Sequence, residues 1–232
     1  LNVLAWLKNP SLGAIPLFMA GDKQYFYYAN KIKTQNDINL VIMGENMLEK
    51  TGFKILFSGA KQEEKGFMSY HMSNKNKMNM IYYYFNQYIK NPSYINRSLV
   101  DTTFAFLSYY AIPHNYLNLF DYLHWDEKYI DNCIKDFFDW ELDPSYNSTW
   151  RIGDGTVAFY NFIYYMVAGF TENDTFRSNQ IREGVIDRKE ALKKVEEENI
   201  ARWSAIKWYC DAIQVDFKQT VEIINEIEPI PL

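Results

Sequence analysis

The stretch Ile38–Glu49 reads INLVIMGENMLE, and the fold turns on how it is read. Its first six residues form a nearly continuous apolar run closed by Gly44. Such a run suits a strand buried on both faces, as in a parallel sheet covered by helices. Just upstream, Gln24 to Lys33 carries Tyr25, Tyr28, Ala29 and Ile32 at i, i+3, i+4 and i+7, which predicts one face of a helix. A short apolar run, Ile15 to Met19, precedes it. The opening therefore reads as an α/β remnant with about one or two strands, since a single helix–strand unit makes no sheet by itself.

Beyond this the pattern changes. Gly59 to Gly66 (GAKQEEKG) is a charged, glycine-bounded connector, and helical spacing dominates after it. The predicted helices run over Met78 to Ile89, Ser98 to Tyr110, Glu127 to Phe138, Thr156 to Phe170, Asp187 to Glu198, Ala201 to Ile213 and Phe217 to Ile227. Asp187 with Glu190, and Asp216 with Gln219, have the spacing of capping boxes. The chain is thus expected to divide into an α/β part, residues 1–60, and a helical part, residues 61–232.

Composition narrows the function classes. The 232 residues carry 24 Lys+Arg against 29 Asp+Glu, a net charge of −5, with no long basic run, so non-specific nucleic-acid binding is not expected. Hydrophobic residues make up 48% and charged residues 23%, which excludes a disordered chain. Two cysteines, Cys133 and Cys210, are too few for a disulfide framework or a cysteine zinc site. His71, His114 and His124 share no ligand spacing. With neither a leader-like start nor an apolar run of membrane length, a cytoplasmic chain without a membrane span is expected. Leu1 at the start suggests a fragment.

Three segments offer chemistry. GENMLE, from Gly44 to Glu49, follows the expected strand, where open α/β sheets bind ligands. Glu45 and Glu49 there suit a hydrated Mg²⁺ beside phosphates, and equally suit acidic residues at a helix start. STWRIGDG, from Ser148 to Gly155, offers the planar fork of Arg151 to a phosphate or carboxylate. Asp154 is there either a site residue or the N-cap of the next helix. ENDTFRSNQIREG, from Glu172 to Gly184, is a polar block abutting the most apolar stretch of the chain. It reads as a recognition loop for a polyhydroxylated or phosphorylated ligand, or as a solvated helix ending at Gly184.

In order, GENMLE, WELDP (Trp140 to Pro144), STWRIGDG, Asn161, GFTENDTFRSNQIREG (Gly169 to Gly184) and EEEN (Glu196 to Asn199) resemble the N-acetyl sugar amidotransferases. These belong to the PP-loop ATP pyrophosphatase superfamily and act in lipopolysaccharide and flagellin-glycan biosynthesis. The resemblance implies the end of a doubly wound ATP-binding domain followed by a helical region. It implies adenylation of an acetamido oxygen with ATP and Mg²⁺, displacement of AMP by ammonia from a glutaminase partner, and an amidine product. By motif position, Gly44, Glu45, Asn46 and Glu49 would lie at the nucleotide, with Glu45 and Glu49 near Mg²⁺. Arg151 and Asp154 would be catalytic, and Arg177, Asn179, Gln180 and Arg182 would contact the sugar. The family's SGG-x-DS phosphate loop and its cysteine pairs, which read as a zinc site, do not occur here. We therefore expect the C-terminal portion of such an enzyme, unable to turn over ATP alone, with an apolar face that promotes self-association into a homo-oligomer. The competing reading is a non-catalytic helical sugar-binding or interaction module.

Overall fold

The computed structural model describes residues 1–19, 21–50, 52–61, 63–65, 69–112, 116–140 and 155–230. Among these the chain is mainly helical, with one short parallel strand pair and one short antiparallel pair. It forms two compact units, residues 1–45 with 52–122, and residues 46–51 with 123–232. The units do not part at residue 60, where the change in sequence pattern falls.

The first unit holds α1 (Asn2–Trp6), a 3₁₀ segment (Leu12–Met19), α2 (Tyr25–Gln35), β1 (Ile42–Met43) and α3 (Phe53–Leu56). Then come β2 (Glu63–Lys65), β3 (Ser69–His71), α4 (Asn74–Lys90), α5 (Ser98–Phe106) and β4 (Leu117–Asn118). A π-helical turn (Leu107–Ala111) prolongs α5, which accounts for the single helix expected there. Trp6, Ile15, Leu17, Phe26, Met80 and Tyr94 make up much of its core. Buried side-chain amides tie the segments together: Asn91 Nδ2 donates to the Ala5 carbonyl at 2.6 Å, and Asn2 Nδ2 to the Leu17 carbonyl at 2.6 Å. Each pairs a buried side-chain amide with a backbone acceptor of another segment.

The buried strand expected over Ile38–Met43 is corrected. Only Ile42–Met43 pairs, in parallel with Leu117–Asn118, and Leu40 and Ile42 are 55% and 54% exposed. Among the described residues this two-pair ladder has no further strand beside it, and an apolar run alone does not make a central strand. Part of the expected connector is strand: Glu63–Lys65 pairs antiparallel with Ser69–His71.

The second unit contains α6 (Glu127–Phe138), α7 (Thr156–Ala168), α8 (Glu172–Arg182), α9 (Arg188–Glu198), α10 (Trp203–Ala212) and α11 (Phe217–Asn225). α7 is its centre: Phe159, Tyr160, Ile163 and Tyr164 are fully or almost fully buried, and α10 and α11 pack against it. The two expected N-caps are present, Asp187 accepting from the Glu190 N–H at 2.8 Å and Asp216 from the Gln219 N–H at 2.7 Å.

Candidate functional site: a buried polar network beside a cleft

The polar block after α7 is a helix. Thr171 accepts from the Asn173 N–H at 3.0 Å, and Asp174 accepts from the Thr171 N–H at 2.8 Å, so α8 opens on a capping box. It closes on Gly184, whose φ is 68°: the Gly184 N–H donates to the Ile181 carbonyl and the Val185 N–H to the Gln180 carbonyl. This is a Schellman ending, as the position of Gly184 suggested. The helix is not solvated, however. Glu172, Asn173, Phe176, Arg177 and Gln180 are buried.

Arg177 is 1% exposed, and every donor direction of its guanidinium is used. Nη1 donates to Glu127 Oε2 at 2.7 Å and to Gln180 Oε1 at 2.7 Å, while Nη2 reaches Glu127 Oε1 at 3.3 Å. Nε donates to Glu198 Oε2 at 3.0 Å, and Nη2 also bonds Glu198 Oε1. The pairing is therefore bidentate to two carboxylates, the geometry that a planar fork favours. Burial acts to lower the Arg177 pKa, but the hydrogen bonds and charges of Glu198 and Glu127 outweigh it and hold the guanidinium above its ordinary range. Lys194 Nζ stands 3.9 Å from Glu127 Oε2 and balances the second carboxylate.

The four residues expected at the sugar thus fall into two groups. Arg177 and Gln180 join Glu127 and Glu198. Asn179 Nδ2 instead donates to the Leu48 carbonyl at 2.8 Å, and Arg182 Nη1 donates to Asn179 Oδ1 at 3.0 Å. Asn179 therefore fastens α8 to the GENMLE turn. In that turn Asn46 caps a 3₁₀ segment (Met47–Glu49) by accepting from the Leu48 N–H at 3.0 Å, and Leu48 is buried. Glu45 belongs to the first unit and accepts from the Tyr25 hydroxyl, whereas Glu49 belongs to the second. Burial, with the Glu45 hydrogen bond second, raises the Tyr25 pKa and keeps that hydroxyl a donor. Gly44 stands in open space, with nothing near the position a Cβ would take. Arg151 and Asp154 lie outside the described residues. Among the described residues no group of three or more His, Cys, Asp or Glu side chains could hold a metal ion.

Beside this network a small open cleft is lined by Ala158, Asn161, Phe162, Tyr165, Thr171, Asn173, Glu198, Asn199, Ile200, Ala201 and Arg202. Its polar wall is held in place by bonds behind it. Asn161 Oδ1 accepts from the Glu172 N–H at 3.2 Å, which leaves the Asn161 amide nitrogen as a donor. Asn199 Oδ1 accepts from Thr171 Oγ1 at 2.6 Å and from Asn173 Nδ2 at 3.1 Å, and Asn199 Nδ2 donates to Asp174 Oδ2 at 2.8 Å. Glu198 falls in the EEEN block noted in the sequence, whereas Glu127, and Arg202 at the rim, carry no local signal that would single them out. No family model matches the chain, and neither a curated protein nor a solved structure matches it.

Proposed function

We propose that the chain is part of an ATP-dependent amidotransferase that converts the acetamido group of an N-acetyl sugar to an amidine, with ammonia from glutamine, in lipopolysaccharide or flagellin-glycan biosynthesis. One observation supports this reading above others. Asn161, the Gly169–Gly184 block and the Glu196–Asn199 block, on which the resemblance rests, supply Asn161, Thr171, Asn173, Glu198 and Asn199 to one cleft. Carboxamides, a hydroxyl and an arginine suit the mixed donors and acceptors of sugar hydroxyls and an acetamido group, and Phe162 with Tyr165 offers apolar surface to the C–H face of a pyranose. Arg177 then serves as the buried strut that fixes Glu198 and α8 behind the cleft, in place of a direct sugar contact.

ATP and Mg²⁺ enter this reading through the family resemblance. Glu45 accepts from the Tyr25 hydroxyl, and no chemical step is assigned to Glu45 or Glu49. The sequence also lacks an SGG-x-DS loop. That absence favours a second reading, a helical sugar-binding module without catalysis of its own.

The test is calorimetric titration of the purified chain with a nucleotide-linked N-acetyl sugar and with its de-N-acetylated counterpart. Binding of the acetylated sugar alone is expected, weakened about ten-fold by Asn161→Ala through the loss of one buried hydrogen bond. Equal binding of both sugars, no binding, or indifference to Asn161→Ala would remove the sugar from the cleft. In a parallel assay the isolated chain is expected to release no AMP from ATP; AMP release would place the adenylating site within this polypeptide.

A further inference from the structure

The first unit presents an apolar surface that the reading above does not use. On α4, the inward side chains Met80, Tyr83, Tyr84 and Gln87 pack into the unit: Met80 and Gln87 are buried, Tyr84 lies against Ala60 and Met72, and the Tyr83 hydroxyl bonds Ser11 Oγ at 2.6 Å. At about 100° per residue these occupy one side of the helix. Met78, Ile81, Tyr82, Phe85 and Ile89, spaced i, i+3, i+4, i+7 and i+11, fall on the opposite side. All five are exposed, Tyr82 at 68% and Phe85 at 59%. Five large apolar side chains standing in line on one helix ridge are unlike scattered surface hydrophobes and mark a binding surface.

The charge on the same helix selects the occupant. α4 carries Lys75, Lys77 and Lys90 and no acidic residue, within a chain of net charge −5. Lys75 and Lys90 are exposed, whereas Lys77 donates to the Tyr110 carbonyl at 2.9 Å. By the same angular count both exposed lysines lie beyond one edge of the stripe and do not interrupt it. Pairing with a second copy would set lysine against lysine with no carboxylate from either helix to answer it, which costs stability. An anionic surface with an apolar layer beneath it answers both features. Aromatic and aliphatic side chains enter the headgroup boundary, while the adjacent lysines stay at the phosphates. The stripe is also a ridge, which a lipid surface can accept without the groove that a peptide ligand needs. Screening within about 8 Å at physiological salt lets these local lysines act despite the overall negative charge.

We propose that α4 is a peripheral docking face for anionic membrane lipid, lying in the interface plane through Met78, Ile81, Tyr82, Phe85 and Ile89 with Lys75 and Lys90 at the headgroups. No described helix is long and apolar enough to cross a membrane, so the contact is peripheral. It does not depend on the sugar reading.

The experiment is co-sedimentation of the full chain with vesicles of phosphatidylcholine alone and with about 30 mol% phosphatidylglycerol. Binding to the anionic vesicles is expected, with weak or no binding to the neutral ones. Tyr82→Asn with Phe85→Asn should lower it at least about ten-fold by removing two apolar anchors. Lys75→Gln with Lys90→Gln should lower it about 25-fold, at roughly five-fold for each lysine at the surface. Because all four side chains are exposed, circular dichroism and thermal midpoint should be unchanged in both variants, and either pair suffices if the other misfolds. Failure to bind anionic vesicles, or binding that neither pair of substitutions weakens, overturns the proposal. So does a concentration-dependent dimer in sedimentation velocity that Tyr82→Asn with Phe85→Asn dissolves while vesicle binding is absent.

Discussion

Without its guanidinium, Arg177 would leave Glu127 and Glu198, only 11% and 13% exposed, facing each other across a space from which most water is excluded. Breaking such a buried set on one side costs more than the set is worth as a whole, because the remaining charges lose their partner. Arg177→Met is therefore expected to lower unfolding free energy by about 3 kcal/mol. The triple variant Arg177→Met, Glu127→Gln, Glu198→Gln should recover most of that loss, and urea denaturation of the two proteins checks the difference. A triple variant as unstable as the single one would mean that the ion set is a net stabiliser. At this scale the sequence showed an arginine and three amide or cationic neighbours, and their chemistry suggested a ligand. What it did not show is that Glu127, 50 residues earlier, and Glu198, 21 residues later, would stand around that arginine. A polar side chain on a helix gives no local sign of whether its partner is a sugar or a distant carboxylate.

Helix ends were the most legible elements. Asp187 and Asp216 cap where their spacing put them, and Gly184 closes α8, because capping is decided by three or four consecutive residues. The run Ile38–Met43 failed for the converse reason: strand burial depends on neighbours that a local pattern cannot supply. Two of the glycines with positive φ at helix ends, Gly155 and Gly184, separate conformational strain from crowding. Gly184 stands in open space at φ 68°, so Gly184→Ala should cost about 1 kcal/mol from strain alone. At Gly155, φ 76°, an added Cβ would lie 2.9 Å from the Trp208 ring and 3.3 Å from Tyr209, with α10 held against α7. Gly155→Ala should cost about 2–4 kcal/mol, strain and overpacking together. Thermal unfolding of the two variants side by side measures the gap. Equal losses would show that α10 moves aside without cost.

For the molecule as a whole, the tyrosines set the alkaline limit. Burial raises the pKa of Tyr84, Tyr94 and Tyr110 in the first unit above the ordinary value of 10.0, with neighbouring tyrosines adding to it. The folded state then binds more protons than the unfolded one above that value. Stability is accordingly complete below about pH 10 and falls as pH rises further. Two observables follow: a set of tyrosines that fails to ionise in the native protein beyond pH 10, and a urea midpoint that declines over the same range. A midpoint independent of pH there would mean these hydroxyls are solvated. The aromatic content of 18% announced an aromatic core, though not which rings would be buried and which, like Tyr82 and Phe85, would face outward.

The fastening of Asn179 to Leu48 also has a consequence in time. The two residues are 131 positions apart, and residues 46–51 belong to the unit whose remainder begins only at Leu123. A ribosome adding roughly 5–20 residues per second makes Leu48 on the order of ten seconds before Asn179 exists. Through that interval the GENMLE turn has emerged with its apolar Leu48 side chain and the carbonyl awaiting Asn179 still unmatched, while residues around it can already begin to fold. Vectorial synthesis thus imposes an order on this chain: the second unit cannot close until α8 arrives to collect a segment made long before it.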